Sequence, residues 1–189
     1  MAGMGMDDPE DAVLAALTGP AREPGSAQRG EGGWTATTGG HVPARPDSIR
    51  LVKERRSGDL AMVAFEYVDV EDREWHGWLG LKRSGDGWGT TGGASGSGRA
   101  PTRSSAPWAN FGAMYGQDMA MAGGQVYGEG VARVRVTSAA GDAIEDSVDG
   151  GVALVMSPGA FPRPWTVELF DAGGALLGSH PHPRRPPRS

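Results

Sequence analysis

Short runs of alternating apolar and polar residues, separated by glycine-rich or charged turns, recur from Ile49 to Arg83 and again from Val131 to Leu177. A period of two puts successive side chains on opposite faces of an extended chain, so each run predicts a strand. Leu60 to Val70 is the clearest. Val63, Phe65 and Tyr67 share one face, Met62, Ala64, Val68 and Val70 the other, and only Glu66 interrupts the second. Both faces of this strand are therefore expected to be covered. After the charged turn Glu71-Asp72-Arg73, the run Glu74 to Arg83 places Trp75, Leu79 and Leu81 opposite His76, Trp78 and Lys82. The two runs predict a hairpin.

Ile49 to Arg55 predicts a strand before this hairpin, and Trp88 begins a short one after it. In the second half, Ala132, Val134 and Val136 alternate with Arg133 and Arg135. Runs at Ile144 to Val148, Val152 to Met156, Trp165 to Phe170 and Ala175 to Gly178 follow. Turns recurring every eight to twelve residues or so are the rhythm of a sandwich. The predicted fold class is all-β: an antiparallel β-sandwich or partly open barrel, with one short N-terminal helix and flexible tails.

Residues 8–18 predict that helix. Asp7 or Asp8 suits the N-cap, Pro9 the first helical position, and Glu10 and Asp11 the positive end of the dipole. Gly19-Pro20 stops it. Val13, Leu14 and Leu17 fall on one face, which can dock on the chain's own sheet or on a partner. Residues 1–47 are read as this helix plus a flexible linker, in which Trp34 can begin a short edge strand. Residues 48–180 are read as the β-domain, divisible into lobes 48–91 and 107–180 by a polar loop at 92–106, with a disordered tail at 181–189. Pro107 to Gly130 scatters aromatic and methionine residues irregularly among glycines and suggests strands at Asp118 to Ala122 and Gln125 to Tyr127.

The segment VELFDAGGALLGS, two short runs joined by the turn Asp171-Ala172-Gly173-Gly174, resembles an immunoglobulin-type β-sandwich element. The resemblance is one of pattern, spans about fifty residues of the C-terminal half, and implies a sandwich there. It implies no activity.

Composition narrows the function classes. The 189 residues carry a net charge of −5, which argues against a broad nucleic-acid footprint. The two lysines and sixteen arginines reflect codon bias more simply than phosphate recognition. The chain has no cysteine, which removes thiolate nucleophiles and cysteine-ligated zinc. The acidic N-terminus lacks the pattern of a signal peptide, and no apolar run approaches eighteen residues, so the expected location is the cytoplasm, with no membrane contact.

Candidate chemistry is sparse. His76 with Glu74, Glu71 and Asp72 could begin a metal or acid–base site, since Glu74 and His76 share a strand face. A charged hairpin beside a surface histidine explains the same residues. Asp142, Glu145, Asp146 and Asp149 cluster in glycine-flanked turns, but their spacing departs from that of a calcium loop. No serine sits in a nucleophile elbow. Met114, Met119 and Met121 suit an adaptable surface or core filling. The tail's Pro183-Arg184-Arg185-Pro186 has a spacing that aromatic grooves bind, and its His180 and His182 could loosely hold a metal; a solvated tail explains both.

The expectation is a non-enzymatic binding or accessory protein without cofactor, acting on an unidentified protein partner through Trp78, Trp88, Trp108 and Tyr115. One alternative is an enzyme centred on His76 and nearby carboxylates. The other is a regulator whose helix docks on a partner through Val13, Leu14 and Leu17.

Overall fold

The computed structural model describes residues 6–20, 28–30, 34–36, 42–85, 87–97, 106–116 and 118–182. The chain divides into two compact units, residues 1–98 and 99–189.

In the first unit, α1 (Pro9–Thr18) begins at Asp8, whose carboxylate accepts the Glu10 N–H at 2.9 Å. The strands of this unit are β1 (Gln28–Gly30), β2 (Trp34–Ala36), β3 (Arg50–Ser57), β4 (Leu60–Val68), β5 (Glu74–Ser84) and β6 (Gly87–Ser97). β1 and β2 form a separate two-stranded ribbon within the segment expected to be linker. β3 to β6 form an open antiparallel sheet in sequence order. Alternation does what the sequence predicts. Ala61, Val63, Phe65 and Tyr67 of β4 join Leu81, Trp88 and the buried face of α1, Ala12, Val13 and Leu17, in one core. Met62, Ala64 and Trp78, on the opposite face, are buried as well. Arg56 of β3 binds both Glu54 and Asp8, tying the N-cap of α1 to the sheet.

The second unit contains β7 (Trp108–Tyr115), β8 (Ala120–Tyr127), β9 (Arg133–Thr137), β10 (Ala143–Ser147), β11 (Val152–Ser157), β12 (Trp165–Phe170) and β13 (Leu176–His182). They make two antiparallel sheets, ordered β11-β8-β7 and β10-β9-β12-β13. The first, second and fifth strands thus share one sheet, and the remaining four the other. This is the order of an immunoglobulin-type sandwich whose fourth strand has joined the second sheet. Val134, Val136, Val167, Leu169 and Trp165 from one sheet pack on Phe111, Ala122, Ala153 and Val155 from the other. The expected sandwich is therefore present in this half, whereas the first half is an open sheet covered by a helix.

Several boundaries differ from expectation. Residues 92–97, read as polar loop, are the second half of β6. Backbone pairing with β5 overrides composition here, and Gly93 allows the close approach: a Cβ on it would lie 2.3 Å from the Trp78 carbonyl oxygen. Between Pro107 and Gly130 the chain makes two strands of eight residues each, and β8 runs unbroken where two shorter strands were expected. Pro181 and His182, assigned to the tail, complete β13. Proline is tolerated because β13 is an edge strand. Residues 42–47, assigned to the linker, join the first unit: Ala44 bridges Asp69 and is buried, and a short 3-10 turn spans Pro46–Ser48. The rest of the tail, residues 183–189, and residues 98–105 of the expected loop lie outside the described residues.

Candidate functional site

Aromatic and ionisable side chains converge in the second unit, where the end of β7, the start of β12 and the end of β13 meet. Trp165 opens β12 and is buried. Its indole N–H donates to the Phe161 carbonyl at 3.0 Å. In β13 its register partner is His182, whose ring stacks on it with centroids 5.6 Å apart and planes 17° from parallel. Tyr115, the last residue of β7, meets Trp165 edge-on at 6.1 Å. Arg163 donates from Nη1 to the Tyr115 hydroxyl at 2.6 Å, and its guanidinium carbon lies 4.7 Å from the centre of that ring. Trp165 is thus a buried pedestal, and Tyr115 with Arg163 is its exposed surface, Tyr115 keeping 44% of its accessible area.

Electrostatics follow burial. Loss of water around His182, reinforced by the positive Arg163 and by His180, pushes its imidazole down to about 4, so it is neutral at physiological pH. His180 accepts the Ala109 N–H on Nε2 at 3.2 Å. That leaves its proton on Nδ1, which faces the Pro181 carbonyl at 3.1 Å. This side chain links edge strands β13 and β7 across the sandwich.

The first unit contains a different polar centre, at the β4–β5 connection. Asp69 is fully buried. One carboxylate oxygen accepts the N–H groups of Glu71 and Arg73, the other the Arg73 guanidinium and the Trp75 indole, all between 2.7 and 3.0 Å. Burial alone would raise this carboxyl. The bonds from the Arg73 main chain, the Trp75 indole, the Arg73 side chain and the Glu71 N–H outweigh it and hold the group well below the usual carboxylate range. Every direction of approach to this carboxylate is occupied by the chain itself. It is a loop clamp.

The expected contact residues separate. Trp78 and Trp88 are buried in the first unit, and the Trp78 indole N–H has no hydrogen-bond partner among the described residues. Trp108 is half-buried and stacks on its register partner Tyr127 at 4.7 Å. Of the four, only Tyr115 is exposed. Of the helix residues, Val13 and Leu17 are buried beneath α1, while Leu14 faces outward. Neither Val13 nor Leu17 can anchor a partner while the helix stays docked.

His76 is half-buried, paired in register with Glu66 and Gly96, and Glu74 is exposed beside Val68. Among the described residues no three histidine or carboxylate side chains converge as metal ligands. Three members of the acidic cluster in the second unit have local partners. Glu145 pairs with Arg133 and Arg135, Asp146 accepts the Leu154 N–H, and Asp149 accepts the Ser147 hydroxyl.

Arg163 and Trp165 were not singled out from sequence as site residues, and His182 only as a metal ligand of the tail beside His180. The available signal was parity: Gly178, His180 and His182 continue the alternation of β13 beyond its expected end.

The sequence matches no protein-family model and no curated protein. No helix among the described residues is long and apolar enough to cross a membrane.

Proposed function

We propose that the chain is a protein-binding module whose contact surface is the Tyr115–Arg163 patch of the second unit. The observation that carries this reading is the braced, solvent-facing tyrosine, fixed from below by Trp165 and from the side by Arg163. Tyrosine and arginine are the side chains that most often anchor protein interfaces, and rigidity reduces the entropy lost on binding. The remaining donors of the guanidinium suit a carboxylate on the partner.

The test is photo-crosslinking in native lysate with a benzophenone side chain at Ser179, an exposed β13 position, in the wild-type, Tyr115→Ala and Arg163→Glu backgrounds. A discrete adduct that forms in the wild type and fades in both variants, with circular dichroism unchanged, supports the reading. An adduct of equal intensity in all three overturns it.

A further inference from the structure

The two edges of the first unit's sheet have opposite chemistry. β3 carries Arg50, Lys53, Glu54, Arg55 and Arg56 within eight residues. Charged side chains on an edge discourage another strand from adding to it. β6, at the other edge, has eleven residues, GWGTTGGASGS, with neither charge nor proline.

Register identifies which groups on β6 face outward. The Arg83 N–H donates to the Asp59 carbonyl, so Arg83 bonds on the β4 side of β5. By alternation, Leu81, Leu79, Gly77 and Trp75 bond β4, while Lys82, Gly80, Trp78 and His76 bond β6. The residues of β6 opposite the first set, namely Trp88, Thr90, Gly93, Ser95 and Ser97, therefore turn their N–H and C=O groups away from the sheet. Trp88 already uses one of them: its N–H donates to the Met6 carbonyl at 3.0 Å. Thr91 is the unmatched residue of a bulge, and it separates that end of the edge from Gly93, Ser95 and Ser97. Gly93, Ser95 and Ser97 are exposed.

The geometry points to a second copy of this chain as the occupant, its β6 adding antiparallel to β6 about a two-fold axis at Ser95. Ser95 then opposes Ser95, and Gly93 opposes Ser97 on either side. Each of these three opposed pairs exchanges two main-chain hydrogen bonds. Every opposed side chain is a hydrogen atom or a hydroxymethyl group, so the pairing brings no steric clash and no like charges together. A foreign strand is selected by pockets at alternate positions. The hydrogen, methyl and hydroxymethyl groups of residues 92–97 form none. Self-pairing needs none, because symmetry supplies the register and serine hydroxyls can bond each other across it. The two four-stranded sheets become one of eight strands.

Sedimentation velocity over a concentration series tests this, with Ser95→Lys and Ser95→Glu variants of the full chain. In the wild type, a species of twice the chain mass grows with concentration. Each variant alone places like charges directly opposite each other and loses that species. An equimolar mixture of the two variants regains it, because lysine then opposes glutamate. Unchanged circular dichroism and melting in both variants separate lost pairing from lost folding. A wild type that stays at single mass, a dimer that survives both substitutions, or a variant mixture that stays at single mass overturns the inference.

Discussion

His182 stacks on Trp165 with ring centroids 5.6 Å apart, at the end of a strand whose last two residues read as tail in the sequence. Its imidazole is neutral in the folded protein because burial, Arg163 and His180 all oppose the charge. In the unfolded chain the group takes up its proton near the ordinary histidine value of 6.5, and in the folded protein only near 4. Between those values the unfolded state binds more protons, so stability falls as pH falls. The contribution is intact above about pH 6.5 and progressively lost down to about pH 4, at most about 3 kcal/mol over the window. His182→Phe keeps an aromatic stack without a titrating nitrogen. The difference between wild-type and variant unfolding free energies, measured by denaturant titration from pH 4 to 7.5, should widen by that amount toward acid. A difference independent of pH would refute the assignment.

Arg163 supplies a second handle on the same imidazole. Arg163→Gln removes a positive charge that disfavours protonation. The His182 titration followed by NMR should then shift upward in pH. If it moves downward or stays in place, burial alone sets it.

The clamp at Asp69 predicts a loss out of proportion to a one-atom change. Asp69→Asn replaces an acceptor oxygen with an NH2 group. Depending on the flip, that amine faces either the Glu71 and Arg73 N–H groups or the Arg73 guanidinium and Trp75 indole. Either orientation leaves buried donors unmatched. The exposed Asp47→Asn, on the 3-10 turn, is the control. Thermal denaturation should show a clear drop for Asp69→Asn and almost none for Asp47→Asn. Equal melting of the two would mean that the loop holds without its carboxylate.

Most of the architecture was legible in alternation, and the exceptions have physical causes. The opposed faces of Trp75 and Trp78, the inward Val134 and Val136, and the helix stop at Gly19-Pro20 all follow from period and local chemistry, and all appear in the structure. β6 was cut short because Gly92 to Ser97 carry almost no apolar surface to mark a face; the strand exists through main-chain bonds to β5. The aromatic patch was hidden for a different reason. Tyr115, Arg163, Trp165 and His182 lie up to 67 positions apart in sequence and meet only through sandwich topology. Asp69 was missed because alternation assigns it no partner, while its bonds gather the turn that follows and the Trp75 indole at the start of β5.

Gly124 makes a backbone prediction. Its φ of 152° is one that side-chain-bearing residues rarely adopt, and a Cβ there would lie 2.1 Å from the Asn110 carbonyl oxygen of β7. Neither β7 nor β8 can relax without breaking its ladder. Gly124→Ala should destabilise the second unit by about 3 kcal/mol, combining overpacking with backbone strain. Gly159→Ala, where the added atom meets open space, should stay within about 0.5 kcal/mol of wild type. Denaturant midpoints that coincide for the two variants would show that β8 sits farther from β7 than its register implies.

The helix provides the last test, because its two faces make opposite claims. Leu17 is 4% exposed and packs in the first unit's core, while Leu14, on the same helix, is 37% exposed. Leu17→Ala removes three buried carbons and leaves a cavity beneath α1, which costs about 3 kcal/mol. Leu14→Ala leaves the core untouched, and alanine's higher helix propensity offsets the little surface it gives up, so stability should change by less than about 0.5 kcal/mol. Urea unfolding followed by tryptophan fluorescence is a suitable readout, since Trp88 lies in the same cluster as Leu17. The reverse order, with Leu14→Ala the more damaging, would place α1 off the sheet and return Val13, Leu14 and Leu17 to the role of partner anchors.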